Sequence, residues 1–220
     1  MFAPCGKLTG INVQIPFELV PNPNTADPHL SSTNYAKLVI SEEGGAQATV
    51  EAVPQSDRVH VLRMGDTLTN PGAANINQPL APLDPVVTHA DGTSVTVAKA
   101  AKPGEILTLY AVGLGPTTPL VQSGVSTPNP APVSPVHIAF DFNIKGEVSP
   151  HYPILGDTPA FSGLTPGFVG LYQVNFVVPA LPSNYLITCG TELGSNLTVS
   201  IGRVKSFDGA RICVDVTGQH

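Results

Sequence analysis

Proline and glycine interrupt this chain so often that no long helix fits between them. There are 23 prolines and 21 glycines among 220 residues, and no window of twelve sustains helical spacing of its apolar side chains. Proline has no amide to give a helix and its ring clashes with the preceding turn, so what fits between the breakers is the short strand. Together the two make 20% of the chain (44 of 220). That lies below the roughly 25–30% at which low complexity or disorder becomes the better reading. Hydrophobic residues at 42% supply a core.

The segments between breakers read as strands. Ile106–Val112 is apolar at nearly every position, the pattern of a strand covered on both faces. Asn196–Ile201 alternates, with Leu197, Val199 and Ile201 on one face and Asn196, Thr198 and Ser200 on the other. Val86–Val97 reads as a hairpin turning on Asp91-Gly92 in a two-residue type I′ loop. Further strands are expected over Ala36–Ser41, Ala46–Val53, Arg58–Arg63, Val136–Ile144 and Leu171–Val178. In the last, Tyr172, Val174, Phe176 and Val178 share a face, Gln173 and Asn175 the other. A type II turn at Pro166-Gly167 precedes it.

A repeat sets the domain organisation. Leu8–Pro16 and Leu171–Pro179 both read L-x-x-[IV]-N-x-x-[IV]-P, and Ala46–Ala52 matches Ser195–Ile201 in pattern. Asn12 precedes Val50 by 38 positions and Asn175 precedes Val199 by 24, so the first copy carries 14 more. The Pro/Asn loop Pro21–Leu30 accommodates them. Strands from Lys102 onward precede the second copy, whereas almost nothing precedes Leu8. The expected fold is all-β: a complete Ig-like β-sandwich over residues 101–220, and a partial Ig-like repeat with its connecting hairpin over residues 1–100. An incomplete sandwich exposes a sheet edge and an apolar face. The first hundred residues are therefore expected to pack on the C-terminal unit or on a second copy.

Charge narrows the partners. Only 12% of residues are charged and the net charge is −6. The ten basic residues are scattered, against the clustering that nucleic acid or an anionic membrane requires. No stretch approaches the roughly 18 apolar residues of a membrane-spanning helix. The opening Met1–Lys7 lacks the basic and apolar regions of a signal peptide, so an export signal is expected upstream. Of the three cysteines, Cys189 and Cys213 lie in strand-like segments and could bridge, leaving Cys5 over. The alternative is two buried thiols packed as small hydrophobes.

No catalytic, cofactor or metal constellation stands out. His29, His60, His89, His137, His151 and His220 share no ligand spacing. There is no Gly-x-Ser-x-Gly elbow, and Ser162-Gly163 reads as loop. Gly113-Leu114-Gly115-Pro116 is a turn, not a dinucleotide fingerprint. Glu105, Asp141, Glu147, Asp157 and Glu192 read as scattered surface carboxylates, and Asn196-Leu197-Thr198 as an ordinary strand despite its glycosylation pattern.

Two long motifs carry a resemblance. Lys102–Thr117, followed by Gly163–Asn175, resembles an uncharacterised C-terminal domain family expanded in soil Acidobacteria such as Solibacter, found at the ends of large exported proteins. The resemblance implies a bacterial, exported, Ig-like sandwich and no activity. The expected role is a non-enzymatic structural or adhesive module at the cell surface, contacting a protein or itself through the incomplete N-terminal unit. The alternative is a carbohydrate-binding module. Against it, the chain has no Trp, and Tyr110, Phe140, Phe142 and Phe176 are expected in the core.

Overall fold

The computed structural model describes residues 36–41, 47–52, 59–64, 84–142, 155–190, 194–203 and 206–219. These residues form antiparallel strands and, apart from a 3-10 turn at Ser183–Tyr185, no helix. In chain order the strands are β1 (Ala36–Ser41), β2 (Gln47–Ala52), β3 (His60–Val61), β4 (Val87–Thr88), β5 (Ile106–Val112) and β6 (His137–Asp141). They continue with β7 (Leu155–Asp157), β8 (Phe161–Leu164), β9 (Tyr172–Val177), β10 (Leu197–Arg203) and β11 (Ser206–Ile212). No helix among the described residues is long and apolar enough to cross a membrane. The motif Leu8–Pro16, the loop Pro21–Leu30 and Cys5 lie outside the described residues.

β1 and β2 form a ribbon of their own, with Leu38 opposite Val50 and Ile40 opposite Ala48. The remaining strands make two larger sheets, ordered β11-β10-β6-β7 and β3-β5-β9-β8, with β4 also paired to β5. Their inward side chains fuse into one core, as in a sandwich. Leu107, Leu109, Val174 and Phe176 come from one sheet and Ile138, Phe140, Val199 and Ile201 from the other. The rings of Phe140 and Phe176 meet across the gap with centroids 6.1 Å apart. Each such side chain stabilises the fold by about 1.5–3 kcal/mol through the apolar surface it removes from water.

Two strand readings need correction. β5 is covered on one face only: Leu107, Leu109 and Ala111 are fully buried, whereas Ile106 and Val112 are exposed. The run looks two-sided because this chain, poor in charge, places apolar residues on open surface as well. β10 errs the other way. Leu197, Val199 and Ile201 do face the core, yet Asn196, Thr198 and Ser200 are buried too. The Asn196 amide nitrogen donates to the Ile187 and Val214 carbonyls at 2.7 and 2.8 Å, and its oxygen accepts from the Val214 amide at 2.8 Å. That glycosylation pattern is thus spent on structure. The hairpin at Asp91-Gly92 also differs in detail. His89 donates its amide to Thr93 and accepts from Gly92, leaving the three-residue loop Ala90–Gly92 with Gly92 at φ 79°. Only one residue needs the left-handed region, as in hairpins closed by a glycine bulge.

β3 and β4 run in line along the same edge of β5. Val61 lies opposite Ala111 and Val87 opposite Leu109. Between them the Leu62 amide donates to Tyr110 and the Tyr110 amide donates to Val86. They are one edge strand in space, interrupted in sequence between Leu62 and Val86. Where the interruption leaves and returns, the Val86 amide donates to Leu62 and the Met64 amide to Asp84. Part of the first hundred residues thus sits on the sheet of β5 within the same chain.

Asp208 of β11 ties that edge to the opposite sheet. Its carboxylate accepts from the Val61 amide at 2.9 Å, from Arg63 Nη2 at 3.1 Å and from the Gly209 amide at 2.8 Å, with His60 Nδ1 at 3.2 Å. Arg63 Nη2 also donates to the Gly209 carbonyl at 2.7 Å. Burial raises the Asp208 pKa, but the His60 bond, the two amides and the Arg63 charge together outweigh it and hold the carboxyl below its ordinary value. A partly buried carboxylate with this many donors is a structural clasp.

Candidate functional site

β5 and β9 run antiparallel, so each end of their pair holds the start of one and the finish of the other. Both ends are built on a Pro-Gly turn. Pro103-Gly104 is closed by the Glu105 amide donating to Lys102, and Pro166-Gly167 by the Phe168 amide donating to Thr165. Gly104 and Gly167 both take φ 81°, the left-handed value a type II turn demands at its third position. The type II reading of Pro166-Gly167 holds.

The first end concentrates charge. His89, almost fully buried, holds Glu105 Oε1 through Nδ1 at 2.6 Å and faces the Lys99 carbonyl through Nε2 at 3.2 Å. The second Glu105 oxygen accepts the Lys102 amide at 2.9 Å. Burial raises the Glu105 pKa, but the His89 bond and the Lys102 amide outweigh it, so the carboxyl titrates below its ordinary value. Nearby, Lys99 Nζ pairs with Asp91 at 2.8 Å on the open surface, and the Lys99 and Thr93 bonds hold the Asp91 carboxyl far below the usual range. His89, Lys99 and Glu105 line a cleft of about 680 Å³ together with Cys189, Cys213 and Val214. Cys189 and Cys213 are disulfide-bonded, their Cα atoms 5.5 Å apart. His89 with Glu105 and Lys99 with Asp91 satisfy one another, while Asp215, also lining the cleft, accepts from Thr217, and Lys102 lines it from an exposed position.

The turn and the strand ends of β5 and β9 here carry no charge of their own, although neighbouring β3 sets His60 opposite Val112. No Asp, Glu, Lys, Arg or His occurs from Ile106 to Val136, nor from Thr158 to Thr191. Backbone bonds knit the two intervals together: the Thr127 amide donates to Phe168 at 2.8 Å and the Gly167 amide donates to Thr127 at 3.0 Å. On this frame Phe168 is 56% exposed and Leu120 70%, with Val125, Val133 and Val169 also open. The uncharged surface continues onto the outward face of the sheet. There Tyr110 lies opposite Gln173, and Asn175 lies between Thr108 and Phe161. The tyrosine expected in the core therefore faces outward, while Phe140, Phe142 and Phe176 are buried as expected. Sequence reading passed over this surface, although the two charge-free intervals were legible.

Other candidates separate in the structure. Ser162 belongs to β8, not to a loop, and its hydroxyl donates to the Ser134 carbonyl at 2.7 Å. Asp141 ends β6 and Asp157 ends β7. His29, His151, His220, Glu147 and Glu192 lie outside the described residues. Among the described residues, no group of three or more His, Cys, Asp and Glu is placed to hold a metal ion. Comparisons with family models, curated proteins and solved structures return no match.

Proposed function

We propose that this chain is a non-enzymatic, exported structural and adhesive module, an Ig-like sandwich over residues 101–220 with a partial repeat of the same unit over residues 1–100. In this reading it belongs to the Acidobacterial C-terminal domain family its motifs resemble, and it mediates protein contact or spacing at a bacterial cell surface. The observation that carries the reading is the charge-free end, where Phe168, Leu120 and Val169 stand open to water on a backbone-bonded frame. Exposed apolar side chains grouped in this way mark interaction surfaces on soluble domains. The Cys189–Cys213 bond supports an oxidising compartment.

The test is to export the full chain to the surface of a non-adherent bacterium and count cell–cell and cell–surface attachment against cells lacking it. Attachment should rise with display and fall to background with Phe168→Asp. Display without any gain in attachment sinks the adhesive role. Attachment unchanged by Phe168→Asp moves it to another surface.

A further inference from the structure

We propose that the Cys189–Cys213 bond is a redox latch on the cleft at the charged end. Opening it frees Thr188 and Cys189 from the cleft wall and leaves both sheets folded. The proposal concerns a different surface from the adhesive reading and does not depend on it.

The two halves of the bond are held unequally. Cys213 is 3% exposed and fixed by the body of the fold. Its carbonyl accepts the Ala101 amide at 2.9 Å, Ile212 before it pairs with Leu197, and the Val214 amide after it donates to Asn196 Oδ1 at 2.8 Å. None of these ties involves the sulfur. Cys189 is half-buried, in the stretch that leaves β9 in one sheet and enters β10 in the other. Tethers run out along this stretch. The Leu181 amide donates to Gln219 Oε1 at 3.2 Å, the Tyr185 ring stacks on Phe142, and the Ile187 carbonyl accepts from Asn196. Beyond Ile187, among the described residues, no hydrogen bond reaches Thr188 or Cys189. The bond to Cys213 is what holds them against the body.

Both cysteines line the cleft, so a reductant entering it from solvent meets the bond. A thiolate of a dithiol reductant attacks the sulfur of Cys189, the more open of the two residues. The S–S bond breaks with its electron pair going to Cys213, which takes up a proton. The reductant's second thiol, giving up its proton, then closes on the first and releases Cys189 as a thiolate, protonated in turn. The protein gains two electrons and two protons, and the reductant departs as a disulfide. The Cys213 thiol then keeps its buried place as a small hydrophobe, while Thr188 and Cys189 have lost their tether. Across the cleft Lys99 keeps its own, its amide bonded to Thr96 Oγ1 at 3.0 Å and its carbonyl to the Thr96 amide at 2.9 Å. One wall moves and the other stays, so the cleft has an oxidised and a reduced form.

The full chain treated with dithiothreitol in the absence of denaturant would test this. Quenching in acid, unfolding and alkylating with N-ethylmaleimide should then find two new thiols, mapped by mass to Cys189 and Cys213. Backbone amide NMR relaxation should show Thr188 and Cys189 passing from an order parameter of about 0.85 to below about 0.6. Leu109 and Val199, in the core of either sheet, should stay at about 0.85. Cys189→Ser should show the freed stretch without reductant and no longer respond to it. Should that variant fail to fold, the unaltered chain before and after dithiothreitol decides. Thiols that appear only once urea unfolds the chain overturn the proposal, because the bond is then out of reach in the folded protein. An unchanged order parameter at Thr188 after reduction overturns it too, by showing that other tethers suffice. So does loss of order at Leu109 and Val199, which would make the bond a staple of the whole fold.

Discussion

At the start of β5 the chain turns through Pro103-Gly104 and surrounds the turn with His89, Glu105, Lys99 and Asp91. At the start of β9 it turns through Pro166-Gly167 and surrounds that turn with Thr127, Phe168 and Val169. The backbones are alike, down to φ 81° at both glycines. The side chains are opposites. At the charged end the polar groups are absorbed by each other, so charge there serves cohesion. At the uncharged turn the backbone and the Thr127 hydroxyl provide cohesion, and the apolar side chains are left free to face outward. The local turn fixes where the chain reverses, and the decoration decides whether that end holds the fold or offers a surface.

Acid should separate the two ends most strongly. Glu105 and Asp208 both ionise more readily folded than unfolded. Their contribution is therefore complete at neutral pH, declines as pH falls through about 4, and is gone below their lower folded values. Urea midpoints measured between pH 7 and pH 2.5 should fall across that window. Hydrogen exchange should show the amide of Lys102 losing protection before those of Thr127 and Phe168. Equal loss at both ends would break the comparison.

Glu105→Ala should cost about 2 kcal/mol, because it strands the buried His89 and the Lys102 amide, read from the shift in urea midpoint. Gly104→Ala and Gly167→Ala should each cost about 1–2 kcal/mol for an L-residue held left-handed, since neither added Cβ meets an atom within 4 Å. The sharper expectation is that the two costs agree, and unequal values would show that the turns are not the same device. Phe168→Ser should change stability by no more than about 0.5 kcal/mol, as for an exposed side chain away from the core, while removing the surface function. Lys99→Met should be smallest, at the edge of detection in a melting curve, because its pair with Asp91 is open to solvent.

Much of this was legible in the residues. β1 and β5 fall where alternation and apolar density place them, and the turn glycine Gly167 follows from its Pro-Gly pair. What was hidden falls into two kinds. Sequence alone does not say whether a strand's second face is covered, so β5 read as buried twice and β10 as buried once. A composition with few charges erases the polar marking that would normally distinguish them. The Asp208 clasp was hidden by distance, since Val61 lies 147 positions away and neither residue announces the other. Asn175 was expected on the face opposite Val174, and the register leaves it there, between Thr108 and Phe161.

The edge strand made of β3 and β4 has a consequence for engineering. The sheet needs only that Met64 and Asp84 arrive side by side, and their hydrogen bond closes the gap behind whatever the chain carries between them. That junction behaves as a splice port: the length and content of the interval are decoupled from the register of the strand it interrupts. A folded guest whose termini lie close together could be grafted there, displayed from one side of the sandwich, with the host sheet reading straight across the join.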